Sequence, residues 1–139
     1  MQECAWCGGD PQWGDCCRAQ HPETIFVFGA NQRGAHGLGA ALYARNFKGA
    51  VMGKGWGLHG RSFAIPTKDK NIQTLPLDRI AEYVQLFLDF AYCTPGLTYA
   101  VTRVGCGLAG LTDEQMAPLF TSAPSNVILT PEWIRVLAK

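Results

Sequence analysis

The sequence lacks long apolar runs and a secretion signal. Its apolar stretches fall well short of the ~20 residues that a membrane-spanning helix needs, and the N-terminus has no charged-then-apolar segment. We therefore expect a cytoplasmic protein without membrane partners.

An excess of one charge sign is also missing. Twelve Lys and Arg residues stand against eleven Asp and Glu residues, and they form no basic stripe of the kind that binds a phosphate backbone. This composition predicts that the protein does not bind nucleic acid non-specifically.

The six cysteines do not form the even pattern of a disulfide framework. Four of them lie in the first seventeen residues, whereas Cys93 and Cys106 lie singly in the body of the chain. The uneven spacing favours reduced thiols or a metal site over disulfides.

Residues 1–22 have no helical or strand periodicity and are interpreted as an arm appended to a domain over residues 23–139. Five side chains in this arm could bind a structural zinc ion. The alternative is a packed or flexible arm with reduced thiols, because the spacing matches no standard zinc finger. The candidate ligands are Cys4, Cys7, Cys16, Cys17 and His21.

The body of the chain repeats one order: apolar strand, glycine-rich loop, helix. Strands are predicted at 25–28, 62–66 (stopped by Pro66), 97–104 and 126–129, and helices at 40–47 and 74–92, after Thr112 and from Pro131. Strands that alternate with helices predict an α/β fold with a mostly parallel sheet covered on both faces.

Two glycine-rich loops, 29–39 and 105–111, each follow a strand and open a helix. Glycines there let backbone N–H groups approach phosphate oxygens at a helix N-terminus, and ligands of open α/β sheets bind at such strand ends. Tight turns alone would also explain either loop; both together favour a ligand the size of a diphosphate.

Two standard nucleotide motifs do not fit. Residues 105–110 match G-x-G-x-x-G, but the acidic residue at the expected distance, Glu132, begins the last helix instead of ending a strand. Gly53-Lys54 lacks the following Ser or Thr of a phosphate-binding loop.

The segment 104–111 (VGCGLAGL) resembles the diphosphate loop of macrodomains. Residues 37–49 are similar to the first ligand loop and helix of the branch that holds terminal ADP-ribose protein glycohydrolases and the antitoxin reversing DNA ADP-ribosylation. Residues 65–68 (IPTK) resemble the strand of that branch that ends in a lysine.

The resemblance implies a three-layer α/β/α macrodomain-like fold and binding of ADP-ribose or an ADP-ribosylated macromolecule, with no required cofactor. It also implies Lys68 as the nucleophile of a glycohydrolase. Two departures from the family pattern argue against catalysis. First, Ala109 stands where the branch has an aspartate, and Asp113, four residues later, is predicted as a first-turn helix residue. Second, the cysteine arm replaces the usual first strand. The candidate ligand contacts are Gly29, Asn31, His36, Gly37, Leu38, Gly39, Ala40, Gly105, Cys106, Gly107, Leu108, Ala109, Gly110 and Leu111.

Two side-chain roles stay open. Cys106 is either a nucleophile, with His36 or His59 as its base, or a small buried side chain in a tight loop. His36 and His59 are either ligand contacts or ordinary turn residues.

Three functions follow in order of preference. The first is a non-catalytic binder of ADP-ribose or a related NAD-derived nucleotide, and the second is an ADP-ribosyl glycohydrolase that uses Lys68. The third is a protein-interaction module whose zinc arm contacts a partner. A compact domain with such an arm would suit a phage or mobile-element protein.

Overall fold

The computed structural model of the protein describes residues 24–37 and 39–139. The predicted arm, with its five candidate zinc ligands, and Leu38 lie outside these residues. The elements are β1 (Ile25–Asn31), α1 (Gly39–Phe47), β2 (Gly57–His59), β3 (Ser62–Lys68), α2 (Leu77–Tyr92), β4 (Tyr99–Val101), α3 (Asp113–Met116), a 3₁₀ turn (Ala117–Phe120), β5 (Val127–Ile128) and α4 (Pro131–Leu137).

The five strands form one mixed sheet in the order β2-β3-β1-β4-β5. β1 is central and pairs in parallel with both β3 and β4, and β4 pairs in parallel with β5. Only β2, at the edge, runs antiparallel. The predicted mostly parallel α/β sheet is confirmed.

The side chains of β1 alternate between two apolar layers, as a strand buried on both faces requires. Ile25 and Val27 pack with α2, α3 and α4, whereas Phe26, Phe28 and Ala30 pack with α1. Helices therefore cover both faces of the sheet.

The predicted stop at Pro66 is wrong, because β3 continues to Lys68. β2 covers the outer edge of β3 only from Ser62 to Ala64. Among the described residues, that edge is paired again only at Thr67 and Lys68, where the Leu75 N–H donates to the Thr67 carbonyl and Thr74 bridges to Lys68. Pro66 lies between the two paired stretches, so its missing N–H costs no sheet hydrogen bond.

Other element ends differ by a few residues. α2 begins at Leu77, after Pro76, and not at Thr74. β4 covers only Tyr99–Val101 of the strand predicted at 97–104, and the N–H and hydroxyl of Thr102 both donate to the Val27 carbonyl.

The helix starts predicted at Thr112 and Pro131 are confirmed. The Thr112 hydroxyl accepts a hydrogen bond from the Gln115 N–H, and the Gln115 side chain accepts from the Thr112 N–H, which completes a capping box. Pro131 is the first residue of α4, capped by Thr130. Within the described part of the chain, no helix is both long and apolar enough to span a membrane.

Candidate functional site

A cleft of about 610 Å³ lies at the carboxyl ends of β1, β3 and β4. The chain leaves β1 toward the α1 face, whereas it leaves β4 toward the opposite face. A crevice opens where neighbouring parallel strands send their connections to opposite sides. Its lining is Gly29, Ala30, Asn31, Ala35, Gly37, Gly39, Ala40, Ala41, Thr67, Lys68, Ile72, Thr102, Arg103, Val104, Gly105, Cys106, Gly107, Leu108 and Ala109.

Gly29 lies where β1, β3 and the second loop come together. A Cβ at this position would lie 3.4 Å from the backbone nitrogen of Gly105 and 3.4 Å from the Thr67 hydroxyl oxygen, which is ordinary van der Waals contact. The start of the second loop thus packs directly against β1 at the base of the cleft.

The first loop is closed by the side chain of Asn31. Its amide nitrogen donates to the Ala35 carbonyl at 3.0 Å, and its amide oxygen accepts from the Ala35 N–H at 3.1 Å. Asn31 therefore lines the cleft, but its polar atoms shape the loop.

Gly37 and Gly39 leave the cleft open beside the N-terminus of α1. Neither glycine has an atom within 4 Å of the place where a Cβ would stand, and Gly39 has a φ of 59°. Because the first N–H groups of a helix have no partner inside it, this end of the nine-residue α1 presents donors to the cleft.

The second loop has three successive backbone N–H groups without a partner among the described residues. It is closed by the Leu111 N–H donating to the Gly105 carbonyl at 2.9 Å and the Gly110 N–H donating to the Gly107 carbonyl at 3.0 Å. Between these bonds, the N–H groups of Gly107, Leu108 and Ala109 donate to no atom of the described residues. Successive free N–H groups of this kind suit an anion.

Gly105 and Gly107 are glycines for different reasons. Gly105 has a φ of 81°, and a Cβ there would lie 3.2 Å from Leu111 Cδ1 and 3.3 Å from Met116 Sδ. Gly107 has no positive φ and no neighbour within 4 Å of a Cβ. Nothing in the described protein requires glycine at 107, whereas close approach of a ligand would.

Two cationic side chains, Lys68 and Arg103, line the cleft, and no carboxylate is among the described residues of the lining. Asp113, outside the lining, balances the charge of Arg103. Lys68 is the last residue of β3, opposite Asn31 in the register.

A bidentate ion pair fixes Arg103. Its Nε donates to Asp113 Oδ1 at 2.9 Å and its Nη2 donates to Oδ2 at 3.0 Å. Trp133 Nε1 also donates to Asp113 Oδ1, at 2.8 Å. The Arg103 guanidinium holds the pKa of Asp113 below its usual range, and Asp113 lies in the first turn of α3 as predicted.

Cys106 has the environment of a structural thiol. Burial first, and then its interaction with Asp113, raise the pKa of Cys106 to about 12. The thiol thus stays protonated at neutral pH and is a poor nucleophile. His36 and His59 lie against Phe28 on the opposite face of the sheet, so neither is its base.

His36 is fully buried and does not line the cleft. Its Nε2 lies 3.0 Å from the Val51 carbonyl and 3.1 Å from the Lys54 carbonyl. The ring ties the first loop to residues 51–54. Gly110 and Leu111 close the second loop from outside the lining.

Eleven of the fourteen predicted contact and catalytic residues that the structure describes line the cleft, and sequence reasoning missed others that do. Ile72 lines it from the loop after β3 with a φ of 62°, which no sequence pattern signals. Arg103 could have been found, because it lies at the carboxyl end of the strand predicted at 97–104, where ligands of such sheets bind. The remaining missed residues are Ala30, Ala35, Ala41, Thr67, Thr102 and Val104.

Comparison with known proteins supports the fold alone. No protein-family model and no curated protein matches the sequence. A solved structure of a protein of unknown function from Bacteroides thetaiotaomicron is similar, with a TM-score of 0.51 and 16% identity over 82% of this chain and 92% of that chain. Among the described residues, no three His, Cys, Asp or Glu side chains form a metal-binding group.

Proposed function

We propose that the protein binds ADP-ribose or a related NAD-derived nucleotide in the cleft, without turning it over. The observation that supports this most directly is the set of backbone N–H groups at Gly107, Leu108 and Ala109 that have no partner among the described residues, in a cleft that is also lined by the N-terminal residues of α1. Two such donor groups suit the two phosphates of a diphosphate.

Size and charge agree with this ligand. The volume of about 610 Å³ is in the range of cofactor sites, roughly 300–1,000 Å³. Lys68 and Arg103 favour an anion, and no described side chain of the lining repels one. Among ligands that contain a diphosphate, the resemblance of the two loops to macrodomain ligand loops favours ADP-ribose.

A second candidate function is removal of ADP-ribose from protein or nucleic acid. It is supported by Lys68, which lies in the cleft at the end of β3. Its amine would attack the anomeric carbon of the distal ribose and displace the protonated protein or nucleic-acid group, and water would then release ADP-ribose from the lysine. Binding ranks first because Ala109 takes the place of a carboxylate, and Asp113 is occupied by Arg103 and Trp133.

Calorimetry with ADP-ribose, ADP, NAD and cyclic ADP-ribose tests the proposal, together with one variant that fills the cleft. Gly107→Glu places a long anionic side chain among the free N–H groups, so binding should be lost. Gly96→Glu is the matched control, since Gly96 is exposed, has no neighbour within 4 Å of a Cβ and precedes β4 at the opposite end of the sheet.

In a thermal-shift assay, a ligand at about 100 times its Kd should stabilise the wild type and Gly96→Glu by about 2.7 kcal/mol. Absence of binding by the wild type to all four nucleotides, or unchanged binding by Gly107→Glu, would reject the proposal. Zinc found by elemental analysis in a protein that binds none of them would instead favour the interaction module.

Lys68→Ala separates the two candidates. A binder keeps measurable affinity for ADP-ribose when Lys68 is removed, and wild-type protein leaves the label on mono-ADP-ribosylated substrates. A glycohydrolase releases the label, and Lys68→Ala abolishes that release.

A further inference from the structure

A second pocket, of about 530 Å³, lies beside the cleft at the ends of β1 and β3. The two sites use neighbouring residues of the same strand ends: Asn31 and Lys68 line the cleft, and Gln32 and Pro66 line the pocket. The described residues of the pocket are Gln32, Lys54, Gly55, Trp56, Pro66, Lys70 and Tyr83.

Trp56 provides an exposed aromatic surface in this pocket. It is 39% exposed, although it packs edge-to-face on Phe63 at 5.1 Å between ring centroids and lies 5.4 Å from the Tyr83 ring. The preceding Gly55 is pressed against the end of β1, where a Cβ would collide with the Asn31 carbonyl oxygen. The backbone and two rings therefore hold the indole in place before any ligand arrives.

Tyr83 and Gln32 form a second fixed wall. Gln32 Nε2 donates a hydrogen bond to the Tyr83 hydroxyl at 3.1 Å, which links the end of β1 to α2. Two of the seven described lining residues are thus aromatic, whereas the cleft has no aromatic ring among its described lining residues.

The rim of the pocket is cationic. Lys54 and Lys70 are both exposed, and no carboxylate is among the described lining residues. Arg33 lies next to Lys70, with its Nε donating to the Lys70 carbonyl at 3.3 Å. A preformed aromatic surface with cations at its rim is the combination that binds a nucleotide through its base and its phosphate.

We propose that this pocket is a second nucleotide site, in which a base stacks on Trp56 and its phosphate lies between Lys54 and Lys70. It differs from the cleft in mechanism, because its contacts are an aromatic ring and lysine side chains instead of backbone N–H groups. The nucleotide is either a free mononucleotide or one residue of a single strand. The inference does not depend on ADP-ribose binding in the cleft.

Two probes test it at low ionic strength: uridine 5′-monophosphate by calorimetry and a labelled short oligothymidylate by fluorescence anisotropy. The wild type should bind at least one of them; tighter binding of the oligothymidylate assigns the site to strands, and binding of the monophosphate alone assigns it to free nucleotides. Lys54→Glu/Lys70→Glu should weaken binding by about tenfold or more, since it replaces two attractive charges by repulsive ones.

Matched controls test whether the loss of binding is specific to this pocket. Arg135→Glu/Lys139→Glu makes the same change of charge at exposed residues of α4 and the C-terminus, and should bind as the wild type does. Trp56→Phe keeps an aromatic ring and should retain most of the affinity, whereas Trp56→Ala should lose it.

Three results would overturn the inference. The first is no binding of either probe by the wild type, and the second is unchanged affinity in Trp56→Ala and in the double lysine variant. The third is loss of binding in Gly107→Glu, which would place the nucleotide in the cleft. Failure of ADP-ribose binding with retained oligothymidylate binding would reject the proposed function and leave the second site intact.

Discussion

The two faces of the sheet are built differently. The face covered by α2, α3 and α4 buries a large aromatic and aliphatic layer that includes Phe87, Phe120 and Trp133. Among the described apolar side chains, the buried ones on the face covered by α1 are two phenylalanines from β1 and alanines. The second glycine loop rests on the thick layer and the first loop on the thin one, so the two halves of the cleft have unequal support.

The thin face also contains two buried histidines with unsatisfied nitrogens. His36 Nε2 faces two carbonyl oxygens and must carry its proton, which leaves Nδ1 without a partner among the described residues. His59 Nδ1 accepts from the Val51 N–H, and its Nε2 is likewise unpartnered among them. The rings stack 6.0 Å apart. We infer that this face is the less stable half of the domain.

The largest expected effect is on the thick face. Phe87→Ala removes a fully buried ring that contacts Phe63 and Tyr99, and it should lower the free energy of unfolding by about 3–5 kcal/mol. Leu86→Ala is its control on the same helix, because Leu86 is 53% exposed; we expect a change within about 0.5 kcal/mol. Urea denaturation measures both, and equal losses would contradict the layer described here.

The second effect compares two glycines of one loop. Gly105→Ala forces a Cβ into a positive-φ conformation next to Leu111 and Met116, and it should cost about 1–3 kcal/mol. Gly107→Ala meets open space and should change stability by less than about 0.5 kcal/mol. If both variants melt at the same temperature, the distinction between a structural and a ligand-facing glycine is wrong.

The third effect is pH dependence of the thin face. Burial first, and then the nearby His36 and Lys54, lower the pKa of His59 below its ordinary value of 6.5. The unfolded chain therefore takes up a proton as the pH falls through about 6.5, whereas folded His59 takes it up only at lower pH, so stability decreases toward acid and is greatest above about pH 6.5. Melting temperatures between pH 8 and pH 5 measure the loss.

His59→Gln provides the control for that titration. It removes the titrating ring, so the difference in melting temperature between neutral and acid pH should shrink relative to the wild type. A difference as large as that of the wild type would assign the effect to other groups.

Much of the fold could be predicted from local patterns. The continuous apolar run at 25–28 and the three- and four-residue spacing of Ile80, Val84 and Phe87 indicate a buried strand and its covering helix, since burial on both faces or on one face leaves those signatures. The edge at Pro66 could not be predicted, because whether a missing N–H matters depends on how far β2 extends, which is a tertiary fact.

Part of the candidate site could also be predicted from local patterns. Glycines that follow strands indicate exposed backbone, and this pattern identified most of the cleft lining. The burial of His36 depends on Val51 and Lys54, carbonyls more than ten residues away in the chain. The pairing of Arg103 with Asp113 requires knowing that α3 turns back onto the end of β4.

The smallest effect on stability is expected for a change of Arg103, which tests whether this residue contributes to folding or to binding in the cleft. In their ion pair, the Arg103 side chain is 46% exposed and the Asp113 side chain is 21% exposed, and accessible pairs contribute roughly 0–1 kcal/mol. Arg103→Gln should thus lower the free energy of unfolding by about 1 kcal/mol at most, because Asp113 still accepts the hydrogen bond from Trp133 Nε1, yet it removes a cation from the cleft. We expect affinity for ADP-ribose to fall by about tenfold.

Arg79→Gln is the matched variant, since Arg79 pairs with Glu82 on the exposed surface of α2 and does not line the cleft. It should change neither stability nor affinity. If Arg103→Gln unfolds the protein instead, Arg103 is needed to stabilise the second loop against the thick layer. The anion would then be bound by Lys68 and the backbone N–H groups alone.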